Sequence, residues 1–420
     1  MKVIFRTMPS LILRHVGWVF LGILWAGLSA IVPAAAANEP GLIAQGQYLA
    51  RLGDCMACHT RPGGAPFAGG LPINTPFGTV MTTNLTPDSD TGIGGWSDDA
   101  FYRAVTDGIG RQGEYLYPAM PFTSFTKMTR SDVLAIKAYL FSLKPAHAPA
   151  QPNSMMFPID IRSTLLLWRV LFFHPGTYRP DPTQTAEWNR GAYLIEGPGH
   201  CGECHSPRNI FGATVTQSSL AGGKVENWLA PNISGDPRWG VGGWSVNDIV
   251  TFLKTGSHQT EGVAFGPMAQ VVHDSLSYVS IADLQAMAVF LKSGPGRIPD
   301  PALQVSASSD LQHGQTLYQE NCAKCHQEKG QGFSSVIPNL AKNAAVNSAE
   351  PNDIINAILI GVPTTGTYGR MPSFAKMLSD QDISDITNYV RSDWGNNAPT
   401  NATPALAASL RSKASAAGQK

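Results

Sequence analysis

The chain of 420 residues has few charged side chains and no net charge. Only 14% of its residues are Asp, Glu, Lys or Arg, and 30 acidic residues balance 30 basic ones. Binding to a phosphate backbone favours an excess of Lys and Arg, so the composition gives no electrostatic reason to expect a nucleic-acid partner. Glycine and proline are abundant instead, at 42 and 31 residues, which is typical of loop-rich domains with few long elements.

The sequence also lacks the patterns that mark many enzymes. It has no glycine-rich nucleotide-binding loop, no pair placed for general acid–base catalysis and no substrate-pocket motif. Beyond the N-terminal region, no segment stays apolar for the 18 or more residues that a membrane-spanning helix needs. The nearest one, 155–173, is interrupted by Asp160, Arg162 and Arg169. We interpret it as a surface or interface segment.

One long apolar run lies at the N-terminus. Three basic residues precede the apolar stretch 16–32, and the alanine-rich 34–37 follows it. This order is typical of a secretory signal peptide, which we predict over residues 1–37. An uncleaved anchor is the alternative, because the stretch approaches the length of a membrane span. Under either interpretation we expect the body of the protein to be exported.

Cysteine is scarce and confined to one pattern. All six cysteines lie in three copies of Cys-x-x-Cys-His, at 55–59, 201–205 and 322–326. Two thiols at this spacing can each form a thioether with one haem, and the adjacent histidine can bind the iron, so the pattern predicts c-type haem attachment. The predicted attachment sites of three haem c groups are Cys55, Cys58, Cys201, Cys204, Cys322 and Cys325, and the predicted axial ligands are His59, His205 and His326.

Two other uses of paired cysteines fit less well. Zinc ribbons combine two Cys-x-x-Cys pairs, but here the pairs are more than a hundred residues apart and each is followed by histidine. A disulfide within one motif would close too short a loop to stabilise the fold much. Haem attachment also agrees with export, because the thiols must be handled in an oxidising compartment.

The chain repeats one unit three times around these motifs. Each unit begins with a short helix that has a glycine near its start (Gly46, Gly191 and Gly314) and an aromatic residue expected on the haem side. A loop with an asparagine follows each motif, at Asn84, Asn232 and Asn339. Middle helices are predicted over 98–107, 246–255 and 352–360, with Ser97 and Ser245 as N-caps and a glycine after each end.

An amphipathic helix closes each unit. Its apolar positions recur at i, i+3 and i+7 from Val133, Leu284 and Ile383, so each marks one helical face that we expect to pack crosswise on the first helix. The predicted fold is therefore mainly α, with three consecutive cytochrome c-type domains that each surround one haem. Their predicted ranges are 38–150, 183–296 and 310–395, joined by a connector (151–182) and a linker (297–309) and followed by a flexible tail (396–420).

The histidine occupies one face of an iron, so the ligand on the other face decides the chemistry. Methionine there gives a six-coordinate electron carrier with a raised potential, whereas an open face allows small-molecule chemistry. Each unit has a proline-flanked methionine in the loop between its middle and last helices, and we predict Met120, Met268 and Met371 as axial ligands. The alternatives are Met128 in the first unit, His258 and His273 in the second and Met377 in the third.

Four further residues recur in the first two units. Arg61 and Arg208 follow the first two motifs, and either pair with haem propionates or are solvated surface residues. Trp96 and Trp244 recur at equivalent positions, where packing against a haem edge or the core is expected.

With three haem units and a connector, the chain resembles the tri-haem cytochrome c subunits of membrane-bound, quinone-linked dehydrogenases. These include the alcohol dehydrogenase and gluconate 2-dehydrogenase complexes. The resemblance covers nearly all of the predicted mature chain, above all at the haem motifs, at 84–88 with 92–96, and at 188–194. It implies a subunit that is not catalytic alone, peripheral association with the periplasmic face of the bacterial inner membrane, and electron delivery to ubiquinone.

The resemblance also implies a catalytic partner that oxidises an alcohol, an aldehyde or a sugar acid. That partner is a quinoprotein, a flavoprotein or a molybdoprotein, and a small third subunit is compatible with the pattern. Two other functions stay open. A multi-haem peroxidase or reductase would need a unit without a methionine candidate, and no unit lacks one. A free-standing electron carrier to a terminal oxidase would have no dehydrogenase partner.

Overall fold

The computed structural model describes residues 39–417, except 226, 238, 259–261, 295–310 and 349. The predicted signal peptide (1–37) and the predicted linker (297–309) lie outside the described residues.

The described part of the chain is mainly helical, as predicted. Its α-helices are α1 (Glu39–Leu52), α2 (Cys55–Cys58), α3 (Asp98–Asp107), α4 (Phe122–Phe125), α5 (Arg130–Phe141), α6 (Leu165–Phe172), α7 (Ala186–Glu196), α8 (Gly202–His205), α9 (Val246–Thr255), α10 (Pro267–Asp274), α11 (Ile281–Ser293), α12 (Leu311–Asn321), α13 (Ala323–His326), α14 (Asn352–Ile360), α15 (Asp380–Ser392) and α16 (Pro404–Ala417).

Short antiparallel hairpins, which the sequence analysis did not predict, lie between the helices. The strands are β1 (Pro72–Thr75), β2 (Gly78–Met81), β3 (Ser154–Met155), β4 (Gly223–Val225), β5 (Trp228–Ala230), β6 (Ser257–His258) and β7 (Gly262–Val263). β1 pairs with β2, and β3 from the connector adds to the free edge of β2. β4 pairs with β5, and β6 with β7.

The middle helices α3, α9 and α14 have the predicted bounds, because their local signals are strong. The Ser97 side chain accepts a hydrogen bond from the Ala100 N–H, and Ser245 accepts one from Asp248. After the helix ends, Gly108 lies in the left-handed region, with φ 61°, where glycine carries no steric penalty.

Each first helix packs on the closing helix of its unit, which confirms the predicted pairing of α1 with α5, α7 with α11 and α12 with α15. The glycine near the start of the first helix lies at the contact. A Cβ added to Gly46, Gly191 or Gly314 would lie 1.8, 1.9 or 2.3 Å from a backbone oxygen of the partner helix. Only glycine lets the two backbones approach this closely.

Three hydrophobic cores form around these helix pairs. The first core includes Leu49, Phe101 and Leu140, the second Leu194, Ile249 and Leu291, and the third Tyr318, Ile355 and Ile386. Tyr48 packs against both the first and the second core. The aromatic residue expected on the haem side of the first unit therefore also serves the contact between two cores.

The connector carries a helix whose orientation the sequence did not predict. The arginines that interrupt the apolar run turn inwards: Arg162 lies 4.6 Å from the ring centre of Tyr117, and Arg169 lies 4.9 Å from that of Phe173. Four apolar side chains of α6 turn outwards (Leu166, Leu167, Val170 and Leu171), and Leu167 and Val170 are 67% and 71% exposed. Among the described residues, no helix combines the length and apolarity needed to cross a membrane.

Residues after Trp394 differ from the flexible tail that the sequence predicts. Helix α16 packs on α14 and α15, with Ala407 and Leu410 buried in the third core. The guanidinium of Arg411 bonds to Asp380, with 2.8 Å between Nε and Oδ1, and to the Leu378 carbonyl. Tertiary contacts thus order a segment whose composition alone is typical of a mobile terminus.

Candidate haem sites

Each motif histidine is fixed by a hydrogen bond from its ring to a backbone carbonyl. The distances from Nδ1 to the carbonyl oxygen are 2.7 Å for His59 and Thr83, 2.7 Å for His205 and Pro231, and 3.1 Å for His326 and Pro338. Because a carbonyl oxygen only accepts, Nδ1 carries the hydrogen and Nε2 keeps its lone pair. This is the arrangement that orients a histidine as a metal ligand.

Burial keeps these imidazoles neutral. It lowers the pKa of His59, His205 and His326, and the hydrogen bond to the carbonyl only partly opposes this effect. A histidine must be neutral at the coordinating nitrogen to bind a metal ion. The three rings are therefore in the protonation state and the tautomer of iron ligands.

The recurring loop asparagines hold the carbonyls that orient the histidines, a role that the sequence analysis did not assign. Asn84 follows Thr83 directly, and its Oδ1 accepts the Thr86 N–H at 2.9 Å. Its Nδ2 donates to the Ala146 carbonyl at 2.7 Å. Comparable bonds to the nearby backbone join Asn232 to Ser234 and Asn339 to Ala341. The recurrence of an asparagine after each motif is the sequence signal for a shared role. The asparagines follow their motif histidines by 25, 27 and 13 residues, so the spacing does not identify the carbonyl.

None of the six cysteines is paired with another in a disulfide. Burial raises the pKa of the first cysteine of each motif to about 12, and these residues are Cys55, Cys201 and Cys322. A thiol with such a pKa is protonated at neutral pH and is a poor nucleophile. Burial therefore disfavours thiolate catalysis at these three positions.

Each predicted methionine packs against the same core as its haem motif. Cys55 and Met120 contact the first core, Cys201 and Met268 the second, and Cys322 and Met371 the third. The structure thus brings the sequence-predicted residues of each unit to one hydrophobic surface. Met268 differs from the prediction in one respect. It does not lie in a loop but in the first turn of α10, directly after Pro267.

These residues fit a haem c group. Every core is contacted by the first cysteine of its motif and by the predicted methionine, and the same motif carries the neutral histidine. An imidazole nitrogen and a thioether sulfur are the iron ligands of cytochromes c. The apolar side chains of the core suit the macrocycle, which needs a largely apolar pocket.

Comparisons with known proteins agree with this chemistry. The family model described as Cytochrome c matches residues 311–394. The chain is 39% identical over 414 residues to the alcohol dehydrogenase (quinone) cytochrome c subunit of Gluconacetobacter polyoxogenes, with 92% of this chain and 88% of that protein covered. It is 36% identical to the gluconate 2-dehydrogenase cytochrome c subunit of Pantoea cypripedii, with 89% and 90% covered.

The chain belongs to the family of cytochrome c subunits of quinone-linked dehydrogenases. A nicotinate dehydrogenase subunit of Pseudomonas putida is also 39% identical to it, over 394 residues. That match covers 90% of this cytochrome chain and only 33% of the longer relative. A cytochrome c domain and electron transfer as part of a dehydrogenase complex follow from the family.

The alternative ligands of this cytochrome subunit lie in different surroundings from one another. Met128 is 1% exposed within the first core, whereas Met377 is 70% exposed. His258 Nε2 lies 3.1 Å from the Asp248 carboxylate. His273 is a largely exposed residue next to Asp274, with which its ring pairs at 2.6 Å.

The arginines near the motifs differ from each other. The guanidinium of Arg208 bonds to the Gly212 carbonyl and to Glu203, with 2.7 Å to the Glu203 Oε2. Arg61 is exposed. Trp96 and Trp244 pack against the first and second cores, as expected.

Glu203, inside the second motif, also links two sites. Its Oε1 accepts hydrogen bonds from Thr123 at 2.7 Å and from Ser124 at 3.0 Å. Both donors lie in α4, which begins two residues after Met120. The second motif is therefore bonded to the segment that carries the methionine of the first site.

Proposed function

We propose that this cytochrome subunit carries three covalently bound haem c groups and passes electrons from a dehydrogenase to ubiquinone. The observation that carries the proposal is one arrangement of residues that recurs in all three units. In each unit a neutral histidine is oriented by a backbone carbonyl, and a methionine packs on the same core. Each haem supplies one-electron oxidation and reduction when bound. The protein holds the haem through the thiols and fixes the iron ligands.

The proposed iron ligands are the pairs His59 and Met120, His205 and Met268, and His326 and Met371. A ligand on both faces excludes substrates from the iron, so the proposal assigns oxidation of the substrate to a partner subunit. We propose domains over 38–150, 183–296 and 310–395, each of which holds most of one core, while α16 adds Ala407 and Leu410 to the third core.

The partner and location follow from the family and from the N-terminal pattern. We propose export to the periplasmic face of the bacterial inner membrane, with a quinoprotein, flavoprotein or molybdoprotein as the catalytic subunit. A small third subunit is compatible with this assembly. The named relatives act with alcohol, gluconate and nicotinate dehydrogenases, which supports a dehydrogenase partner without selecting one.

Peripheral membrane contact is proposed for one surface, the connector face. It consists of the exposed residues Leu166, Leu167, Val170 and Leu171 of α6 with Ile210 and Phe211. Phe211 is tied to α6, because the Trp168 Nε1–H donates to its carbonyl at 2.9 Å. Contiguous exposed apolar side chains on one helix are typical of interfacial contact with lipid or protein.

Haem stoichiometry tests the main proposal. The holoprotein, produced with a cytochrome c maturation system, is expected to contain three haems per chain by the pyridine haemochrome assay. Replacing both cysteines of one motif by alanine is expected to remove one haem. Fewer than three haems in the wild-type protein would overturn the proposal.

Ligand binding separates the carrier from an enzyme. The reduced protein is expected to bind no carbon monoxide at native haems, because both faces of each iron are occupied. Strong binding would favour a peroxidase or reductase. Co-purification with a dehydrogenase is expected, and its absence would favour a free-standing carrier to a terminal oxidase.

The connector face is tested with vesicles of bacterial lipids. Leu167→Ser and Val170→Ser are expected to reduce sedimentation with the vesicles, since burial of each large apolar side chain contributes about 1.5–3 kcal/mol. Ile281→Ser and Ile360→Ser are the matched controls, because these residues are 53% and 50% exposed elsewhere. Equal effects of all four substitutions would contradict the assignment of the connector face. If Leu167→Ser and Val170→Ser instead abolish co-purification with the dehydrogenase and leave vesicle binding unchanged, the connector face binds the partner.

A further inference from the structure

The hairpin of β4 and β5 is built onto the second haem motif. Its outgoing strand leads to Pro231, the residue whose carbonyl orients His205. At its start, the Gly222 N–H donates to the His205 carbonyl at 2.9 Å. A Cβ added to Gly223 would lie 2.4 Å from the Cys204 oxygen, so the strand lies directly against the motif.

The outer edge of β5 is held by the third unit. β5 has β4 on one side only, so its other edge presents backbone groups that need partners. The Asp353 Oδ1 of α14 accepts the Leu229 N–H at 2.8 Å. One turn further along, the Asn356 Nδ2 donates to the Asn227 carbonyl at 3.0 Å. Both side chains are buried, with 6% and 2% exposure.

The same helix also contributes to the third core. Ile355, Ile358 and Leu359 of α14 are buried there, and Met371 packs against this cluster. One face of a rigid helix thus lies on the third site, while its polar side chains hold the strand next to the second site.

The first unit has an equivalent contact with a different acceptor. Met81 and Leu229 each lie two residues before the carbonyl that orients the motif histidine. The Met81 N–H donates to Asn153 Oδ1 at 2.8 Å, a neutral amide from the connector. At the second site the acceptor is a carboxyl, and it comes from another unit.

We propose that Asp353 is a positioning residue for the second haem, which holds β5, and through it the Pro231 carbonyl, against His205. This inference rests on the proposed function, since it presupposes a haem bound by His205. Unlike Asn153, the acceptor at this site can change its charge, so the second haem responds to pH through a residue of the third unit.

The surroundings of Asp353 place its titration near neutrality. Burial and then Glu350 raise its pKa to about 7, while the Leu229 N–H and Arg391 act in the opposite direction. Lys224 of β4 in turn pairs with Glu350, at 2.7 Å between Nζ and Oε1. Ionisation of the carboxyl adds a negative charge that favours ferric over ferrous iron, so the potential is expected to fall as the pH rises through about 7.

The test compares the full-length holoprotein with Asp353→Asn, Asp353→Ala and Asn153→Ala. Haem content is measured first. The three midpoint potentials are then followed by spectroelectrochemistry from about pH 5.5 to about pH 8.5, and the low-spin ferric haems by electron paramagnetic resonance. Asp353→Asn keeps an acceptor oxygen and is expected to abolish the fall of one potential near pH 7.

The two alanine variants separate the sites. Asp353→Ala is expected to shift the resonance of one haem, and Asn153→Ala that of a different haem. Three haems with an unchanged pH profile in Asp353→Asn would overturn the role of Asp353 and leave the proposed function standing. A shift of the same haem by both alanine variants would also overturn it. A wild-type protein with fewer than three haems would overturn the proposed function itself.

Discussion

The phenol of Tyr48 in α1 donates a hydrogen bond to the Asp283 carboxylate at the start of α11, with 2.6 Å between the oxygens. The reciprocal bond joins Tyr193 in α7 to Asp132 in α5. The first helix of each unit is thus bonded to the closing helix of the other. Two copies of one contact, related by exchange of the units, hold the first two units together.

Replacing these phenols is expected to weaken the contact between the first two units. Tyr48→Phe and Tyr193→Phe each remove a hydrogen bond to a carboxylate, at a cost of about 1.5–3 kcal/mol in the free energy of unfolding. Urea denaturation measures this change. Tyr278→Phe is the control, because Tyr278 is half-exposed and keeps its ring beside Arg51. Losses no larger than in the control would contradict the role of the two bonds.

The same contact is expected to weaken in alkali. The pKa of Tyr48 and that of Tyr193 are raised above the usual 10. Burial is the larger cause, and the hydrogen-bonded aspartate is the next largest. A group whose pKa is higher in the folded protein stabilises it fully below the unfolded value and loses that effect as the pH rises through the folded value. The stability difference between wild type and the two phenylalanine variants should therefore shrink above about pH 10, which urea titrations at several pH values will measure.

Replacing any one of the predicted methionine ligands is expected to leave one haem iron with an open coordination position. Met120→Ala, Met268→Ala and Met371→Ala should each convert one haem to a high-spin form that binds one carbon monoxide per chain, with a lowered potential. Optical titration with carbon monoxide gives the stoichiometry. Met377→Ala is the exposed control and should bind none. Binding in Met128→Leu but not in Met120→Ala would reassign the ligand of the first haem.

The asparagine of the first loop is expected to stabilise both the fold and the ligand geometry. Asn84 is 4% exposed and bonds to the backbone on both sides of the loop. Asn84→Ala removes these bonds and is expected to cost about 1–3 kcal/mol in unfolding free energy. A freer Thr83 carbonyl polarises the His59 ring less, so the potential of one haem should rise. Loss of stability with three unchanged potentials would limit Asn84 to a structural role.

The buried guanidinium of Arg391 is expected to be a major source of stability in the third unit. It is fully buried and donates to the carbonyls of Val346, Ser348, Glu350 and Pro399. Arg391→Met leaves these oxygens without their donor and is expected to cost at least about 1–3 kcal/mol, the penalty for an unsatisfied buried acceptor. Thermal denaturation is the measurement. Arg103→Met, on the exposed side of α3, should change stability by less than about 0.5 kcal/mol.

Local signals explain what the sequence predicts well. Ser97 and Gly108 enclose α3, and the periodicity from Val133 marks the closing helix, because caps and helical faces depend on neighbours within a few residues. The three haem motifs are equally local. Their ligand carbonyls are not, since Thr83 lies 24 residues after His59 and nothing in the sequence marks that carbonyl as the partner.

Contacts between units cannot be predicted from local sequence signals. Tyr48 and Asp283 are separated by 235 positions, and neither sits in a pattern that identifies the other. The inward turn of Arg169 depends on aromatic rings from the first unit, which a window on the connector does not contain. Likewise, α16 is ordered by Asp380 and the third core, so its alanine-rich composition alone is misleading.

The glycine at each helix crossing can help to identify similar units in other protein sequences. A methyl group at Gly46, Gly191 or Gly314 would lie 1.8, 1.9 or 2.3 Å from a backbone oxygen of the opposite helix, far inside van der Waals contact, so no single substitution can replace the glycine while the crossing is kept. These glycines lie 9, 10 and 8 residues before the first cysteine of their motifs. A pattern search that requires both the glycine and the Cys-x-x-Cys-His motif at this distance should separate units with this crossing from chance matches to the motif alone.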